Sequence, residues 1–463
     1  MTQAKASPPL TFQLAEFISR LQVESLPTEV ISHVKLCILD TLGCALYGST
    51  LPWGKTIIQF TKDCGSGKGA LIWVDGAEVP SPNAPLANGT LVHSFELDDI
   101  HRDAVLHPGA VTLPAADALA RRRAVDGKHF LTAVVAGYEV GCRVGLTCGP
   151  SQLRRGFHPS GTTGTFAAAA AAAKMLRFEA KPTHHALGIA GTQGAGLMAA
   201  QAGSMVKRMH PGRAAQSGVY GALLAAQGFT GIENIIEAEY GGFCSTLSDY
   251  RDLSLLTKGL GEEFALLNVG FKLYPCCANN HTSLDALQKI RSAHPELRPQ
   301  EIDRIVVRTT RTSTLHVGWR YRPDSVTTAQ MNLSYCLAAA LIDGQFSVDQ
   351  VTEAAIARSD ILQLTQRIQV VEDPKLNGLG DRYRYAVALE LYLHDGISLK
   401  EEVLQARGSE ACPLSESEII SKYKLLASKV LSPPKVQRLL EAVLRLERQE
   451  DASFLGALTS PSN

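Results

Sequence analysis

Four short segments concentrate side chains that can move protons or hold anions. The first runs His93-Ser-Phe-Glu96-Leu-Asp98-Asp99-Ile-His101-Arg102-Asp103-Ala-Val-Leu-His107-Pro-Gly and carries three histidines, one arginine and four carboxylates. Imidazole and carboxylate are ligands for zinc and iron. No H-E-x-x-H or comparable spacing is present, however, and the Arg102 cation opposes a nearby metal, so no metal is expected. Asp98 and Asp99 can equally be loop carboxylates that accept backbone hydrogen bonds. The second segment, Arg154-Arg-Gly-Phe-His158-Pro-Ser160-Gly-Thr-Thr-Gly-Thr, leads into an alanine-rich stretch. Unsatisfied N–H groups at a helix start, with hydroxyls beside them, suit a carboxylate or phosphate, although the Gly-Lys-Ser/Thr ending of a nucleotide loop is missing. His158 has the chemistry of a proton carrier at neutral pH, or it caps the loop.

The third segment is Gly203-Ser-Met-Val-Lys207-Arg208-Met-His210-Pro-Gly-Arg213, with three cations and a histidine within seven residues. On most proteins this would be a solvated patch. Between Gly-rich and Ala-rich helices it is also a candidate anion site. The fourth, Phe271-Lys272-Leu-Tyr-Pro-Cys276-Cys277-Ala-Asn-Asn-His281, holds a cysteine pair that a histidine could activate, though small core thiols are commoner and no cysteine-enzyme signature surrounds it. Together these segments supply cations, donors and proton-transfer groups and no nucleotide fingerprint. Such a set suits a small polycarboxylate, whose charges need Lys, Arg and N–H partners while a poised group moves a proton.

The elements that position these groups follow from periodicity. Over the first 265 or so residues, helix follows helix: Ile31, Val34, Ile38, Leu42 and Ala45 mark a buried face between Glu29 and Tyr47, and similar patterns span His129–Leu146 and Pro211–Gln227. The run Ala167–Ala173 predicts a tightly packed central helix. The first of these segments is expected between a helix ending near Glu96 and one beginning near Leu113, and the Lys207 segment is expected as a loop before a helix. Ala70–Val74 and Ala77–Val79 flank Asp75-Gly76 and predict a hairpin. From Gly270 to about Ala406 the texture changes: Ile302–Thr310, Arg367–Val371 and Tyr385–Leu393 alternate as strands, with helices at Thr328–Ile342 and Val348–Ala357. Helix returns after Ser415, whose Ser-Glu-Ser-Glu start is a capping box, and again near Pro434.

With 463 residues, two domains are expected, or one large domain carrying an insertion. A hydrophobic fraction of 45% against 19% charged excludes a disordered or fibrous chain. Formal net charge is zero and no long basic run occurs, so neither nucleic acid nor an anionic membrane is an expected partner. No secretory or transit pattern opens the chain, and no stretch of about 20 consecutive apolar residues occurs, which predicts a cytoplasmic protein. Ten scattered cysteines suit reduced thiols rather than a disulfide framework.

At the same four segments the chain resembles the MmgE/PrpD family, over nearly its whole length. The resemblance rests on Glu96-Leu-Asp-Asp-Ile-His with His107-Pro, Gly156-Phe-His158 before the alanine run, Met205-Val-Lys207-Arg208, and Lys272-Leu-Tyr-Pro-Cys-Cys with His281. It implies a mainly α fold: a large all-helical domain formed by both chain ends (1–269 and 407–463) with an inserted α+β lid domain (270–406). It also implies a homodimer, no organic cofactor and no metal. Carried over by position, His107, His158, His281 and Lys207 are the implied catalytic residues. Glu96, Asp98, His101, Ser160, Arg208, Lys272 and Trp319 are the implied substrate contacts. Trp319 stands where some members have a tyrosine. The implied activity is that of a lyase on a small polycarboxylic acid, with cis-aconitate decarboxylation preferred. Dehydration of 2-methylcitrate or another alkylcitrate is the alternative, and an inactive polycarboxylate-binding relative is the third reading.

Overall fold

Apolar residues recurring at helical spacing make Thr28–Gly48 a core helix in which every residue from Cys37 to Gly48 is buried. By length and composition it could cross a membrane, but it also carries the buried Asp40. Lys422, on the C-terminal helix Glu416–Ala427, reaches Asp40 at 2.6 Å and donates to the Leu97 carbonyl at 2.5 Å. The computed structural model describes residues 8–122 and 125–460. They divide into one unit of residues 8–122, 125–199, 205–270 and 415–460, and a second of residues 200–204 with 271–414.

The first unit is built from helices that small residues bring close. A Cβ on Gly141 of helix Gly127–Cys148 would lie 2.7 Å from the Cβ of Ala167, and one on Gly218 of helix Val206–Ala226 would lie 2.4 Å from that of Ala168. Neither is a distance that two carbons tolerate. The alanine run, inside helix Gly164–Met175, is thus clamped from two sides. Because these alanines lose little side-chain entropy, close backbone approach comes cheaply here.

Several expectations needed correction. The unit is not all-helical: Ala70–Leu71 pairs antiparallel with Glu78–Val79 at the Asp-Gly turn, and Ile100–His101 pairs with Val269–Gly270. The first pairing is shorter than predicted because Val74 turns left-handed at φ 71°. Lys207 and its neighbours do not form a loop. Helix Val206–Ala226 begins five residues before Pro211, which sits inside it and forfeits only one backbone hydrogen bond near the helix start. The helix expected from Leu113 begins at Pro108, where proline's fixed φ suits the first turn, and the preceding one ends at Val92 before a single tight turn, His93–Phe95.

The second unit has a four-stranded sheet in the order Ile368–Glu372, Ile302–Thr309, Val387–Leu393, Ser398–Val403. Its first pair is parallel and the others antiparallel. The strand Ser398–Val403, which follows the Asp395-Gly396 turn, adds an edge that alternation alone did not reveal. Helix Ala278–Ala293 packs across the last two strands. The helix expected over Thr328–Ile342 is broken into Val326–Gln330 and Leu333–Asp343, because the Asn332 side chain accepts the Tyr335 N–H and starts a new helix. All ten cysteines are free thiols.

Near the hairpin, the buried Trp73 indole donates to Asp117 Oδ2 at 2.7 Å, and burial pushes the Asp117 carboxyl up to about 6. With the folded value above the ordinary 3.8, the stabilising contribution of the protonated acid is complete below about pH 4 and is lost as pH rises through about 6. Asp117→Asn keeps an acceptor for the indole and removes the charge. It should raise unfolding free energy at pH 8 by on the order of 2 kcal/mol and leave it unchanged near pH 4. Urea denaturation at the two pH values checks this; an equal effect at both would refute it.

Candidate active site

The first segment folds as a tight double reversal. Glu96 is left-handed at φ 56° and Val105 at φ 52°, and His101 bridges back to Leu106. A left-handed non-glycine residue is strained, and such residues cluster where surrounding structure fixes a functional geometry. This path sends Glu96 and Asp98 to different partners.

Asp98, with no exposed surface, places Oδ2 2.9 Å from His93 Nδ1 and 3.2 Å from His107 Nδ1. Burial alone would push its carboxyl up, but the imidazoles of His107 and His93 hold it well below the usual range. It is a buried anion with a ring on either side, the rings meeting edge to face at 4.7 Å. Burial lowers His93 to about 4 despite Asp98, so at neutral pH it is a neutral ring that donates from Nδ1. Among the described residues these three also form the one group whose ligand atoms lie within 4.8 Å of one another. The two Nδ1 atoms face one carboxylate oxygen, at 2.9 and 3.2 Å.

Asp99 turns the other way. Its Oδ2 accepts the Tyr138 hydroxyl at 2.7 Å and its Oδ1 accepts the Gly109 N–H at 3.0 Å, which ties the start of helix Pro108–Ala120 to the loop. Burial first and Asp40 second push the Asp99 carboxyl well up. His107 precedes this helix, and its backbone N–H donates to the Ser160 hydroxyl at 3.1 Å. Ser160 therefore positions His107. Every residue from Pro159 to Thr162 is buried.

His158 donates its backbone N–H to the Gly196 carbonyl at 3.0 Å, and its ring lies 5.4 Å from that of His93. Burial, then Lys207 and the neighbouring histidines, holds His158 well below its ordinary value. Lys207 Nζ is ion-paired with Glu96 Oε1, and Arg208 Nη1 donates to that same oxygen at 2.6 Å. All three side chains are buried. Two cations thus share one carboxylate oxygen beside the histidines. His101 has a local task, its Nδ1 accepting the Ala104 N–H at 3.2 Å.

The remaining candidates belong to the second unit. Lys272 and His281 are buried there, and the His281 ring meets Tyr274 edge-on at 5.2 Å. Trp319 is 36% exposed and lines an open cavity of about 520 Å³ with His316, Arg320, Arg322, Asp324 and Met331. Cys276 is fully buried and its thiol is pushed well up by burial, the opposite of an activated nucleophile.

The structure thus brings together Glu96, Asp98, His107, His158, Ser160, Lys207 and Arg208 within the first unit. Two participants were not singled out from sequence, His93 and His210, although both lie inside the segments that were. His210 is one helical turn from Lys207, a relation that a helix creates and a loop does not.

Two family models match consecutive parts of the chain: the MmgE/PrpD N-terminal domain over residues 12–256 and the MmgE/PrpD C-terminal domain over residues 274–448. A cis-aconitate decarboxylase-like protein of Aspergillus oryzae is 33% identical over 97% of this chain and 97% of its own length. The cis-aconitate decarboxylase of Aspergillus terreus is 30% identical over 96% of this chain and 95% of its own length. That of Homo sapiens is also 30% identical, over 97% and 94% respectively. With both domain models in order and full-length similarity to these relatives, the chain belongs to the MmgE/PrpD family.

Proposed function

We propose that the protein is a lyase on a small polycarboxylic acid and that its reaction is decarboxylation of cis-aconitate. The observation that carries this reading is the Lys207–Arg208–Glu96 cluster next to His158, His93 and His107, in a chain whose full-length relatives are named for that activity. Lys207 and Arg208 attract substrate carboxylates, with Glu96 as the counter-charge that holds them in place before substrate arrives. The C–C bond to the departing carboxylate breaks, its electron pair moves onto the carbon chain, and a histidine delivers the proton that completes the product. A tricarboxylate and one proton become a dicarboxylate and carbon dioxide. No metal or organic cofactor is required.

His158 and His281 are the proposed proton donors. In the empty site His158 is neutral, since burial and Lys207 disfavour its charge. A substrate with three negative charges offsets the positive potential that Lys207 sets at His158, and the ring N–H facing that substrate is the proton proposed to reach carbon. A second reading, dehydration of an alkylcitrate, is favoured by the neutral His93, lowered to about 4, because a base must be unprotonated at working pH.

Association into a homodimer is also proposed. On the first unit, Tyr220 and Leu224 are one turn apart on helix Val206–Ala226 and 39% exposed each, with Phe229 and Ile232 following at 60% and 44%. Exposed apolar residues in such a group suit a protein contact.

Purified protein incubated with cis-aconitate should release carbon dioxide and a dicarboxylate. Conversion of 2-methylcitrate to an unsaturated tricarboxylate would establish the hydro-lyase instead, and no turnover of either would leave a binding protein. His158→Ala and His281→Ala should each lower kcat by about 10²–10⁴-fold while circular dichroism and Tm stay near wild type; activity retained by either variant removes that histidine as the donor. Sedimentation should find a dimer that Leu224→Asp with Phe229→Asp converts to monomer, whereas a monomeric wild type would dismiss the interface.

A further inference from the structure

His158 and His210 present the same ring atom to each other: their Nδ1 atoms are 3.0 Å apart and their ring centroids 5.2 Å. Two imidazole nitrogens at that distance are joined by a single N–H···N hydrogen bond, so one must carry a proton and the other a lone pair. Both rings are buried. The contact is built from three places in the chain. His210 comes from helix Val206–Ala226, one turn after Lys207, and His158 precedes the short helix Pro159–Thr162.

The third place is Gly196, in the stretch Gly191-Thr-Gln-Gly-Ala-Gly196. Its backbone at φ 139° is open only to glycine, and its carbonyl accepts the His158 N–H at 3.0 Å. A Cβ there would lie 3.1 Å from both Cγ and Nδ1 of His210 and 3.5 Å from Cβ of His158. The two rings fit together because nothing larger than hydrogen occupies this spot.

We infer that His210 is a positioning residue: its Nδ1–H donates to His158 Nδ1 and so fixes His158 as the tautomer whose Nε2 carries the proton. The inference rests on the proposed role of His158 as a proton donor. An isolated imidazole can turn over or exchange tautomers, and either change would leave a lone pair where the reaction needs a proton. Burial keeps both rings neutral in the empty site, with His210 lowered to about 4, so the link holds one proton rather than two.

Two substitutions separate this role from simple packing. Asparagine places its amide nitrogen close to where histidine has Nδ1, so His210→Asn retains a donor, whereas His210→Leu fills the space without one. His210→Leu should lower kcat by about 100-fold with KM within about threefold of wild type, and His210→Asn should recover most of that loss. Equal losses in both variants would show a packing role and overturn the inference.

Nitrogen NMR of ring-labelled histidine in the full-length protein supplies a readout independent of turnover, with the His158 signals assigned from their loss in His158→Asn. In wild type, His158 Nδ1 should show the unprotonated, hydrogen-bonded shift, and in His210→Leu it should lose that hydrogen bond. A protonated Nδ1 in wild type, or His158 signals unchanged by His210→Leu, would refute the assignment. If wild type turns over neither acid, the proposed reaction fails, while the NMR still decides whether His210 fixes the tautomer.

Discussion

A single buried charge sets much of the local architecture. Asp98 has no exposed surface, and a carboxylate taken from water in this way is costly unless other groups replace its hydration. His93 does so with a hydrogen bond at 2.9 Å, and the His107 ring faces the same oxygen at 3.2 Å. Each demand is mutual: the rings owe their orientation to the anion, and the anion owes its ionised state to the rings. Around this centre the remaining loop groups are arranged by what each can satisfy. Glu96 goes to the cations of helix Val206–Ala226, and Asp99 to a hydroxyl and a backbone N–H. Three carboxylates within four residues thereby take three different environments.

The division between Asp98 and Asp99 shows how strongly surroundings override residue type. Adjacent in sequence and both fully buried, one is held well below the ordinary carboxylate range and the other pushed well above it. The difference lies in what faces them, imidazoles in one case and the Asp40 carboxylate with neutral donors in the other. Ionised, Asp98 anchors two histidines. Asp99, whose charged form burial and Asp40 disfavour, holds the start of helix Pro108–Ala120 through the Gly109 N–H.

Much of this was visible in the sequence at the level of segments and little at the level of partners. Helical spacing along Thr28–Gly48, the Asp75-Gly76 turn and the Ser415 capping box each express a local rule, so each could be read directly. The four reactive segments were equally plain, because titratable residues stand out among Gly and Ala. What could not be read was anything set by packing across the chain. His93 is five residues from Asp98 and resembles an ordinary helix-end residue until the chain doubles back at Glu96. His210 was obscured by Pro211, which signals a helix start by local rules yet sits inside a helix that begins earlier. Left-handed backbone at Glu96 and Val105 carries no sequence mark at all, since neither residue is glycine.

One contact ties the reactive loop to the order in which the chain is made. The ammonium group of Lys422 neutralises Asp40 and binds the Leu97 carbonyl, between Glu96 and Asp98, yet it is encoded more than 320 residues after that loop. During synthesis the helices that surround the loop emerge first, and Asp40 waits among them without its counter-charge. An uncompensated buried charge costs about 3–5 kcal/mol, so the nascent helical unit has reason to stay loose until helix Glu416–Ala427 has been made. The loop is thus closed by a piece made long after it, and a chain that stops short of Glu416 lacks the cation that binds the Leu97 carbonyl.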